Sequence, residues 1–401
     1  MLKDKNILIG VSGGIAIYKV LDLISKLKKL DANVDVIMTD SAREFVSPLT
    51  FQTMAQSKVH FDMFGLVNEI DVEHISLAKW ADVVLIAPAT GNTIGKIANG
   101  IADNLLTTVL MATTKKIIFA PAMNTNMYLN PMVQENMEKL KKLGHEFINP
   151  GAGRLACGDV GPGKMAEVDD IIYYLNKHFV KKDLLGKKIV ITAGPTMEPI
   201  DPVRYITNHS SGKMGYSIAD KGVLRGAEVV LISGPSKLDP PRGVEFVSVK
   251  TTNDMLFAVE EYFESCDVLI KSAAPSDFKP VVESDIKIKK DKNDNSPMSI
   301  SFVKNPDIAA YFGTMKKNQI TVGFAAETNN LIEYSKIKLK EKNFDFIVAN
   351  DVTKQGAGFN TDTNIVTIID NHENITEYPL LSKEEVANII LDKVVVSLNK
   401  N

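Results

Sequence analysis

Residues 6–15 read NILIGVSGGI, in which the apolar run Asn6–Gly10 leads into a turn rich in serine and glycine. A helical pattern of apolar residues follows from Ile15 to Leu30, and a second apolar run occupies Val34–Met38. Short apolar runs that alternate with helix-length amphipathic segments are typical of βαβ units. The stretch therefore predicts the first strand, turn and helix of a parallel α/β sheet.

The turn at the end of the first strand also predicts a place for an anion. Glycines such as Gly13 and Gly14 let the backbone approach a ligand closely, and a helix N-terminus offers free N–H groups. Ser12 can add a hydroxyl donor, whereas an ordinary tight turn is the alternative. The turn does not match the dinucleotide fingerprint G-x-G-x-x-G, and the near match at Gly151–Ala156 opens a loop rather than a helix, which argues against NAD.

The same α/β pattern runs through the whole chain and restarts near its middle. The basic stretch 179–188 lacks a helical or strand period and is predicted to be a linker between domains 1–178 and 189–401. The sequence thus predicts two tandem α/β domains. The further predicted strands are Asp82–Ala87, Lys116–Ala120, His145–Ile148, Lys188–Ala193, Glu228–Ile232, Val244–Val249, Val268–Lys271, Ile320–Phe324 and Phe346–Ala349.

Composition excludes several classes of protein. The 401 residues carry a formal net charge of −3 and no polybasic run, so neither nucleic acid nor an anionic membrane is an expected partner. No apolar stretch approaches the roughly 18 residues that a membrane helix needs. With two cysteines, Cys157 and Cys266, a disulfide framework is not expected. A cytoplasmic protein is the prediction.

Three segments in the first half carry candidate chemistry. His74 begins a predicted helix, Asn124 follows a strand in Pro121–Met127, and Cys157 lies in the glycine-rich loop Gly153–Gly163. Each has a structural alternative, because a histidine can cap a helix, an asparagine can brace a turn and a cysteine can fill a core. A cysteine among glycines, three residues from an arginine, suits a proton donor better than a core residue.

Together His74, Pro121–Asn124 and Leu155–Gly158 resemble the flavin-containing cysteine decarboxylase family, over residues 5–175. The resemblance implies that FMN carries the electrons, that Cys157 donates a proton, and that His74 and Asn124 position the substrate carboxyl group. Tyr128 and Lys164 depart from the family's usual tryptophan and arginine. The FMN-binding residues that the resemblance implies are Gly10, Ser12, Gly13, Gly14, Thr39, Pro88, Ala89, Thr90 and Asn92.

The second half contains candidate sites for phosphate. A serine–glycine turn at Ser210–Gly212 enters a predicted helix at Lys213, an arrangement that binds anions, although it is not a Walker loop and could be an ordinary N-cap. A lysine-rich segment, Lys287–Lys290, could be a solvated flap. Lys338 and Lys342 are four residues apart on one predicted helix, where they could hold a polyphosphate jointly or form a solvated face.

In their order, the segments of residues 187–395 resemble the CTP-dependent phosphopantothenate–cysteine ligase domain. The resemblance implies a reaction in which 4′-phosphopantothenate and CTP form an acyl-cytidylate, and cysteine then displaces CMP. Arg204, Asn208 and Ala274 would bind the substrate, with Asn208 catalytic, and Lys287 would neutralise charge on the phosphates. Mg²⁺ is the expected phosphate partner, without a dedicated set of protein ligands. The CTP-binding residues that the resemblance implies are Asp277, Lys287, Pro306, Asp307, Ile308, Ala309, Phe324, Lys338 and Lys342.

Both resemblances together predict a flavodoxin-like or Rossmann-like flavoprotein domain followed by a Rossmann-like ligase domain. The implied function is a bifunctional enzyme of coenzyme A biosynthesis. The resemblance also implies a homo-oligomer, with a trimeric decarboxylase half and a dimeric ligase half, a combination compatible with a dodecamer. The alternatives are a flavin-binding regulatory protein without turnover and a nicotinamide-dependent oxidoreductase.

Overall fold

The computed structural model describes residues 2–63, 72–289, 299–327, 330–351, 358 and 361–400. Lys290, the last residue of the predicted lysine-rich segment, lies outside this part of the chain. The chain divides into two compact units, Met1–Val180 and Lys181–Asn401. Within the described residues, no helix has both the length and the apolar character needed to cross a membrane.

The first unit alternates strands and helices. Its strands are β1 (Asn6–Val11), β2 (Asn33–Met38), β3 (Val59–His60), β4 (Val83–Ala89), β5 (Ile117–Pro121), β6 (Glu146–Phe147), β7 (Gly151–Arg154) and β8 (Val160–Lys164). Its helices are α1 (Ile17–Lys29), α2 (Asp40–Arg43), α3 (Pro48–Ala55), α4 (Glu73–Trp80), α5 (Gly91–Ala98), α6 (Leu105–Ala112), α7 (Thr125–Leu129), α8 (Pro131–Lys142) and α9 (Val168–Phe179).

The first sheet has the strand order β3-β2-β1-β4-β5-β6, and every pair in it is parallel. This is the Rossmann order, in which the strand order reverses between the first and fourth strands and a crevice opens at their carboxyl ends. All seven residues of β4 are buried because helices cover both faces of the sheet. The predicted α/β class is confirmed, and β3 is a strand that the prediction did not include.

The second unit begins a new sheet. Its strands are β9 (Lys188–Ala193), β10 (Met197–Pro199), β11 (Tyr205–Thr207), β12 (Glu228–Ser233), β13 (Glu245–Ser248), β14 (Val268–Lys271), β15 (Phe278–Pro280), β16 (Phe302–Lys304), β17 (Ile320–Glu327), β18 (Phe346–Asp351), β19 (Thr363–Asn364), β20 (Val366–Asp370), β21 (Ile375–Glu377) and β22 (Leu381–Ser382). Its helices are α10 (Lys213–Leu224), α11 (Thr252–Phe263), α12 (Ile308–Met315), α13 (Leu331–Glu341) and α14 (Lys383–Leu398).

The second sheet has the order β13-β12-β9-β14-β17-β18-β20-β21. Its first six strands are parallel, and β20 and β21 extend it as antiparallel strands. The order reverses between β9 and β14, which places the ligand crevice of an open α/β sheet at their carboxyl ends. The six parallel strands match the six predicted ones, whereas the antiparallel extension was not predicted.

The glycine-rich segment 151–163 differs from its prediction. It was expected to be a loop, but β7 and β8 form an antiparallel hairpin there, with Gly153, Gly161 and Gly163 at positive φ. Glycine adopts these backbone angles without the steric cost that a side chain adds. The segment has a single β-branched residue, Val160, and no alternating apolar pattern, and for this reason its sequence does not predict a strand.

Candidate functional site

The first cavity begins at the carboxyl ends of β1 and β4. The Ser12 hydroxyl donates to the carbonyl of Pro88 at 2.6 Å, and the Thr90 N–H donates to the Ser12 oxygen at 3.1 Å. Ser12 is 2% exposed, and its single proton is used within the chain. Its hydroxyl therefore braces two neighbouring turns, which differs from the expectation that it donates to a ligand.

The predicted glycines of this turn have different surroundings. A Cβ on Gly13 would lie 2.5 Å from the Ser41 Cβ, so only glycine fits between the turn and α2. A Cβ on Gly14 would meet nothing closer than 3.8 Å. A Cβ on Gly10 would lie 2.5 Å from Leu106, inside the core. Gly10 and Gly13 are thus required for packing, while Gly14 leaves the backbone open to a ligand ahead of α1.

A cavity of about 650 Å³ opens above this turn. Its volume lies within the range of small-molecule and cofactor sites. Ile15, Met123 and Met127 contribute apolar surface, which suits the ring system of a flavin. Of the predicted FMN-binding and catalytic residues, those that line this cavity are Gly13, Gly14, Thr90, Asn124 and Cys157.

Asn124, Cys157 and Asp159 form a hydrogen-bonded cluster at the rim of this cavity. The Asn124 amide nitrogen lies 3.3 Å from the Cys157 sulfur and 2.6 Å from an oxygen of Asp159. The same Asp159 oxygen lies 3.6 Å from the Cys157 thiol. The Asn124 amide oxygen accepts the Asn126 N–H at 2.8 Å, which fixes the orientation of the amide. Asp159 was not among the predicted site residues, although it lies only two positions after Cys157.

The β7–β8 hairpin brings Cys157 to Asn124 through one close backbone contact. The Met123 N–H donates to the Gly163 carbonyl at 2.9 Å, and a Cβ on Gly163 would lie 2.2 Å from the Met123 carbonyl oxygen. Any side chain at position 163 would therefore push the hairpin away from the residue that precedes Asn124.

Replacing Gly163 with alanine is expected to destabilise the first unit and to weaken flavin retention. Gly153→Ala is the matched control, because Gly153 also has a positive φ but an added Cβ would meet nothing within 4 Å. Because of the steric collision, Gly163→Ala should lower the free energy of unfolding by about 1–3 kcal/mol more than Gly153→Ala does, by analogy with overpacked cores. Urea unfolding followed by the fluorescence of Trp80, the single tryptophan, would measure the difference. Equal stability of the two variants would show that the contact carries no energy.

His74 lies in another part of the first unit. Glu73, the preceding residue at the start of α4, accepts a hydrogen bond from His60 on β3 at 2.7 Å. Three strands separate β3, which lies beside Glu73, from β5, which precedes Asn124. At about 4.8 Å per strand, His74 and Asn124 are on the order of 20 Å apart. His74 does not line the 650 Å³ cavity. One copy of the chain therefore does not join His74 to Asn124 and Cys157.

The remaining predicted FMN-binding residues surround the cavity without lining it. Thr39 follows β2 and caps α2 through its hydroxyl, which accepts the Ala42 N–H at 3.3 Å. Pro88 and Ala89 are the buried last residues of β4, and Asn92 is exposed on α5.

A second cavity, of about 480 Å³, lies at the carboxyl ends of β9 and β14. The turn at Asn208–Gly212 and the first residues of α10 form one wall, and Ser272–Ala274 form another. Gly212 precedes α10 at a φ of +79°, and no side chain caps this helix. The free N–H groups of α10 therefore face a cavity that suits a phosphate. Of the predicted residues, those that line the cavity are Asn208, Ala274, Phe324 and Lys338.

Asn208 and Arg204 are held by different partners. The Asn208 amide nitrogen lies 2.9 Å from the Pro275 carbonyl oxygen and 3.3 Å from that of Ala274. The Arg204 guanidinium donates to the buried carboxylate of Asp201 and to the Ile288 carbonyl at 2.7 Å. Arg204 thus tethers its own turn to the lysine-rich segment.

Asp201 is a second residue that sequence reasoning missed. Its carboxylate also accepts N–H groups of Val203, Arg204 and Ile288. The hydrogen bond from Arg204, with these backbone donors, holds the pKa of Asp201 well below its usual range. Lys287, adjacent to Ile288, is exposed and does not line the 480 Å³ cavity, and neither does Asp277.

Lys338 and Lys342, expected to act jointly, have different surroundings. Lys338 lines the 480 Å³ cavity, whereas the Lys342 ammonium lies 2.6 Å from an oxygen of Asp307. Asp307 caps α12 by accepting the Ala310 N–H at 2.9 Å, and Pro306 precedes the cap. Ile308 is buried, and Ala309 packs against the core. Burial opposes ionisation of Asp307, but the bond from Lys342 lowers its pKa overall.

The described residues contain no group of three or more histidine, cysteine, aspartate or glutamate side chains that could hold a metal ion. Both cysteines are free thiols, Cys157 exposed and Cys266 buried. Burial raises the pKa of Cys266 to about 12, and its thiol donates to the Phe263 carbonyl at 3.3 Å. Cys157 is therefore the accessible thiol of the two.

Comparison with known proteins agrees with the division of the chain into two units. Residues 1–180 match the Flavoprotein family, and residues 184–398 match the DNA/pantothenate metabolism flavoprotein C-terminal domain. The chain is 48% identical over 398 residues to the coenzyme A biosynthesis bifunctional protein CoaBC of Bacillus subtilis (strain 168), covering 98% of this chain and 97% of the relative.

Two further relatives carry the same name. The protein of Vibrio cholerae serotype O1 (strain ATCC 39315 / El Tor Inaba N16961) is 44% identical over 391 residues, covering 97% of this chain and 98% of the relative. That of Escherichia coli (strain K12) is 41% identical over 396 residues, covering 98% and 97%. These matches confirm the resemblance predicted from the motifs of both halves. The chain therefore belongs to the family of coenzyme A biosynthesis bifunctional proteins, with a Flavoprotein domain followed by a DNA/pantothenate metabolism flavoprotein C-terminal domain.

Proposed function

We propose that the chain makes 4′-phosphopantetheine in two steps, with a ligase in residues 189–401 and an FMN-dependent decarboxylase in residues 1–178. The ligase joins 4′-phosphopantothenate to cysteine, and the decarboxylase removes CO₂ from the cysteinyl end of the product. The observation that carries the proposal is the cluster of Asn124, Cys157 and Asp159 at the rim of a cofactor-sized cavity. A scaffold that only bound flavin would have no need of an accessible thiol there.

The first cavity suits FMN, because Gly13 and Gly14 line it, Gly14 leaves the backbone open ahead of α1, and methionines supply apolar surface. Bound FMN would supply the two-electron oxidation of the substrate thiol and the return of those electrons. The chain's own residues do the rest of the work. The Asn124 amide N–H groups, which lie against Cys157 and Asp159 in the free chain, would donate to the substrate carboxylate, and the neighbouring Cys157 thiol would deliver a proton to the product carbon.

The second cavity supports a nucleotide-activated ligation. The carboxylate of 4′-phosphopantothenate attacks the α-phosphorus of CTP, a P–O bond forms, and pyrophosphate leaves. The amine of cysteine then attacks the acyl carbon, CMP leaves, and an amide remains. The free N–H groups of α10 and the ammonium of Lys338 are suited to hold phosphates, and Asn208 adjoins Ala274 where the acyl group would lie.

CTP as the nucleotide and Mg²⁺ as its phosphate partner are parts of this proposal. Mg²⁺ is commonly held by substrate phosphates and few protein ligands, so a dedicated set of carboxylates is not required. We further propose a homo-oligomer in which His74 of one copy approaches Asn124 and Cys157 of another. A trimeric decarboxylase half and a dimeric ligase half remain our proposal, as does a cytoplasmic location, which suits two free thiols.

One assay of the full chain tests both steps. Purified protein would be incubated with 4′-phosphopantothenate, cysteine, CTP and Mg²⁺, and CMP, CO₂ and 4′-phosphopantetheine would be followed by mass spectrometry. We expect CTP-dependent 4′-phosphopantetheine and a flavin absorbance spectrum from the same sample. CMP with an accumulating cysteine adduct would leave only the ligase, and a protein with neither product nor flavin would overturn the proposal.

A further inference from the structure

Glu198 is a buried carboxylate that the proposed reaction does not use. It lies on β10 and is 2% exposed. Its Oε1 atom accepts two hydrogen bonds from Thr252, the first residue of α11, whose backbone N–H donates at 2.9 Å and whose hydroxyl donates at 2.7 Å. A buried carboxylate needs hydrogen-bond donors, and the N-terminus of a helix favours a negative charge. Glu198 is therefore well placed as an acceptor inside the second unit.

The Glu198 carboxylate sets the direction of a chain of hydrogen bonds. The Thr252 hydroxyl has one proton, and its shortest bond is the one to Glu198. In its bond of 2.9 Å with the Thr196 hydroxyl, Thr252 is therefore the acceptor and Thr196 the donor. The Thr196 oxygen in turn accepts the Ser276 N–H at 2.9 Å. The chain runs in one direction, from the backbone of Ser276 to Glu198, and all four of these residues are buried.

The far end of this chain holds the two segments that the proposed function assigns to the nucleotide. Ser276 precedes Asp277, and Asn305 precedes Pro306–Ala309. The Asn305 amide nitrogen donates to the Ser276 carbonyl at 2.9 Å and lies 3.3 Å from the Thr252 hydroxyl oxygen. The Asn305 backbone N–H donates to the Asp277 carbonyl at 2.9 Å. The two segments are thus tied to each other and to Thr252.

The same network reaches the acyl side of the ligase site. The Thr207 hydroxyl donates to the Thr196 carbonyl at 2.7 Å, and Thr207 is the last residue of β11, directly before Asn208. The Asn208 amide lies 3.3 Å from the Ala274 carbonyl oxygen, where the acyl group would lie. Neither Glu198 nor any residue that this chain of bonds joins to it lines the 480 Å³ cavity. The network therefore connects the two sides of the site from behind.

We propose that Glu198 and Thr252 are positioning residues of the ligase, which hold the nucleotide segments at the distance from Asn208 that the first step requires. In that step a carboxylate oxygen of 4′-phosphopantothenate must meet the α-phosphorus of CTP, and no covalent bond yet joins the two substrates. In the second step the acyl group and CMP are one molecule, so their relative placement no longer depends on the protein. This inference rests on the proposed use of CTP.

The test separates the two steps in the full-length protein. Thr252→Val removes the hydroxyl but keeps the shape of the side chain and the N–H bond to Glu198. We expect pyrophosphate release from 4′-phosphopantothenate and CTP, measured by rapid quench without cysteine, to slow about 10- to 100-fold, because a misplacement of about 1 Å can cost about 10² in rate. CMP release after cysteine is added to the preformed acyl-cytidylate should change less than about twofold.

Conservative variants and a matched control accompany this test. Thr252→Ser keeps the hydroxyl and should carry out both steps at the wild-type rate. Glu198→Met removes the acceptor and should reproduce the split between the steps, whereas Glu198→Gln keeps an acceptor oxygen and should not. Thr321→Val is the control, because it removes another buried threonine hydroxyl, bonded to the Asn343 carbonyl at 3.0 Å near the amino end of β17. It should leave both steps unchanged.

A first step at the wild-type rate in Thr252→Val, or an equal loss of both steps, would overturn the inference. Slowing of the first step in Thr252→Ser would do the same, because the hydroxyl is retained there. If circular dichroism showed that Thr252→Val does not fold, Thr196→Val would decide, since it breaks the same chain of bonds but leaves Glu198 bonded to Thr252. A wild-type first step in Thr196→Val would then overturn the inference. Absence of CTP-dependent pyrophosphate release in the wild type would instead overturn the proposed function.

Discussion

Cys157→Ser is expected to lower net decarboxylation by at least about 100-fold, because a positioned general acid contributes about 10²–10⁴ to a rate. Serine preserves the size of the side chain and the hydrogen bonds to Asn124 and Asp159, but a hydroxyl is a far weaker acid than a thiol. The steps that precede proton delivery should continue. On addition of phosphopantothenoylcysteine, the absorbance of oxidised flavin should fall and fail to return, while CO₂ is released no more than once per site.

The chain provides a control for this experiment. Cys266→Ala removes the other thiol, which is buried and bonded to the Phe263 carbonyl, and should leave decarboxylation unchanged. Ligation measured as CMP release should be the same in both variants. Normal turnover by Cys157→Ser would exclude the thiol as the proton donor and would direct attention to Asp159, the remaining ionisable group in the cluster.

Asn208→Asp should reduce ligation by about 100-fold or more and leave decarboxylation unchanged. The Asn208 amide nitrogen faces the carbonyl oxygens of Ala274 and Pro275, and a carboxylate oxygen in its place would be repelled by both. Loss of one oriented donor at a reacting carboxyl group costs about 10²–10³ in rate. Pyrophosphate release without cysteine reports on the first step, and CMP release with cysteine reports on the second.

Asn388→Asp is the matched control, because Asn388 lies on α14, half-buried and outside the 480 Å³ cavity. It adds the same charge to the same unit and should leave both steps unchanged. Ligation at the wild-type rate in Asn208→Asp would remove Asn208 from the site. Parallel loss of ligation and decarboxylation would contradict the view that the two halves work as independent modules.

The parallel sheets were predictable because their strands are continuous apolar runs bounded by glycine turns. Val83–Ala89 is buried on both faces and reads as one apolar run. Val59–His60 is only two residues long and carries no period, so its place at the sheet edge depends on tertiary pairing with Val36 and Ile37. The hairpin at 151–164 depends on glycines at positive φ, for which a pattern of apolar residues gives no signal.

The candidate site was predictable only where a motif stands at the end of a strand. Gly13, Thr90 and Asn124 each follow a predicted strand, and the Rossmann order brings them to one crevice. Asp159 reaches Asn124 only because the hairpin folds back.

The distance between His74 and Cys157 has a consequence for how the enzyme would respond to dilution. If each decarboxylation site takes its histidine from a neighbouring copy, the number of complete sites follows the law of mass action. Dilution below the dissociation constant of the assembly would then remove decarboxylation while every copy stays folded. The amount of protein in the cell would thus set both the number of active sites and the fraction of chains that possess one.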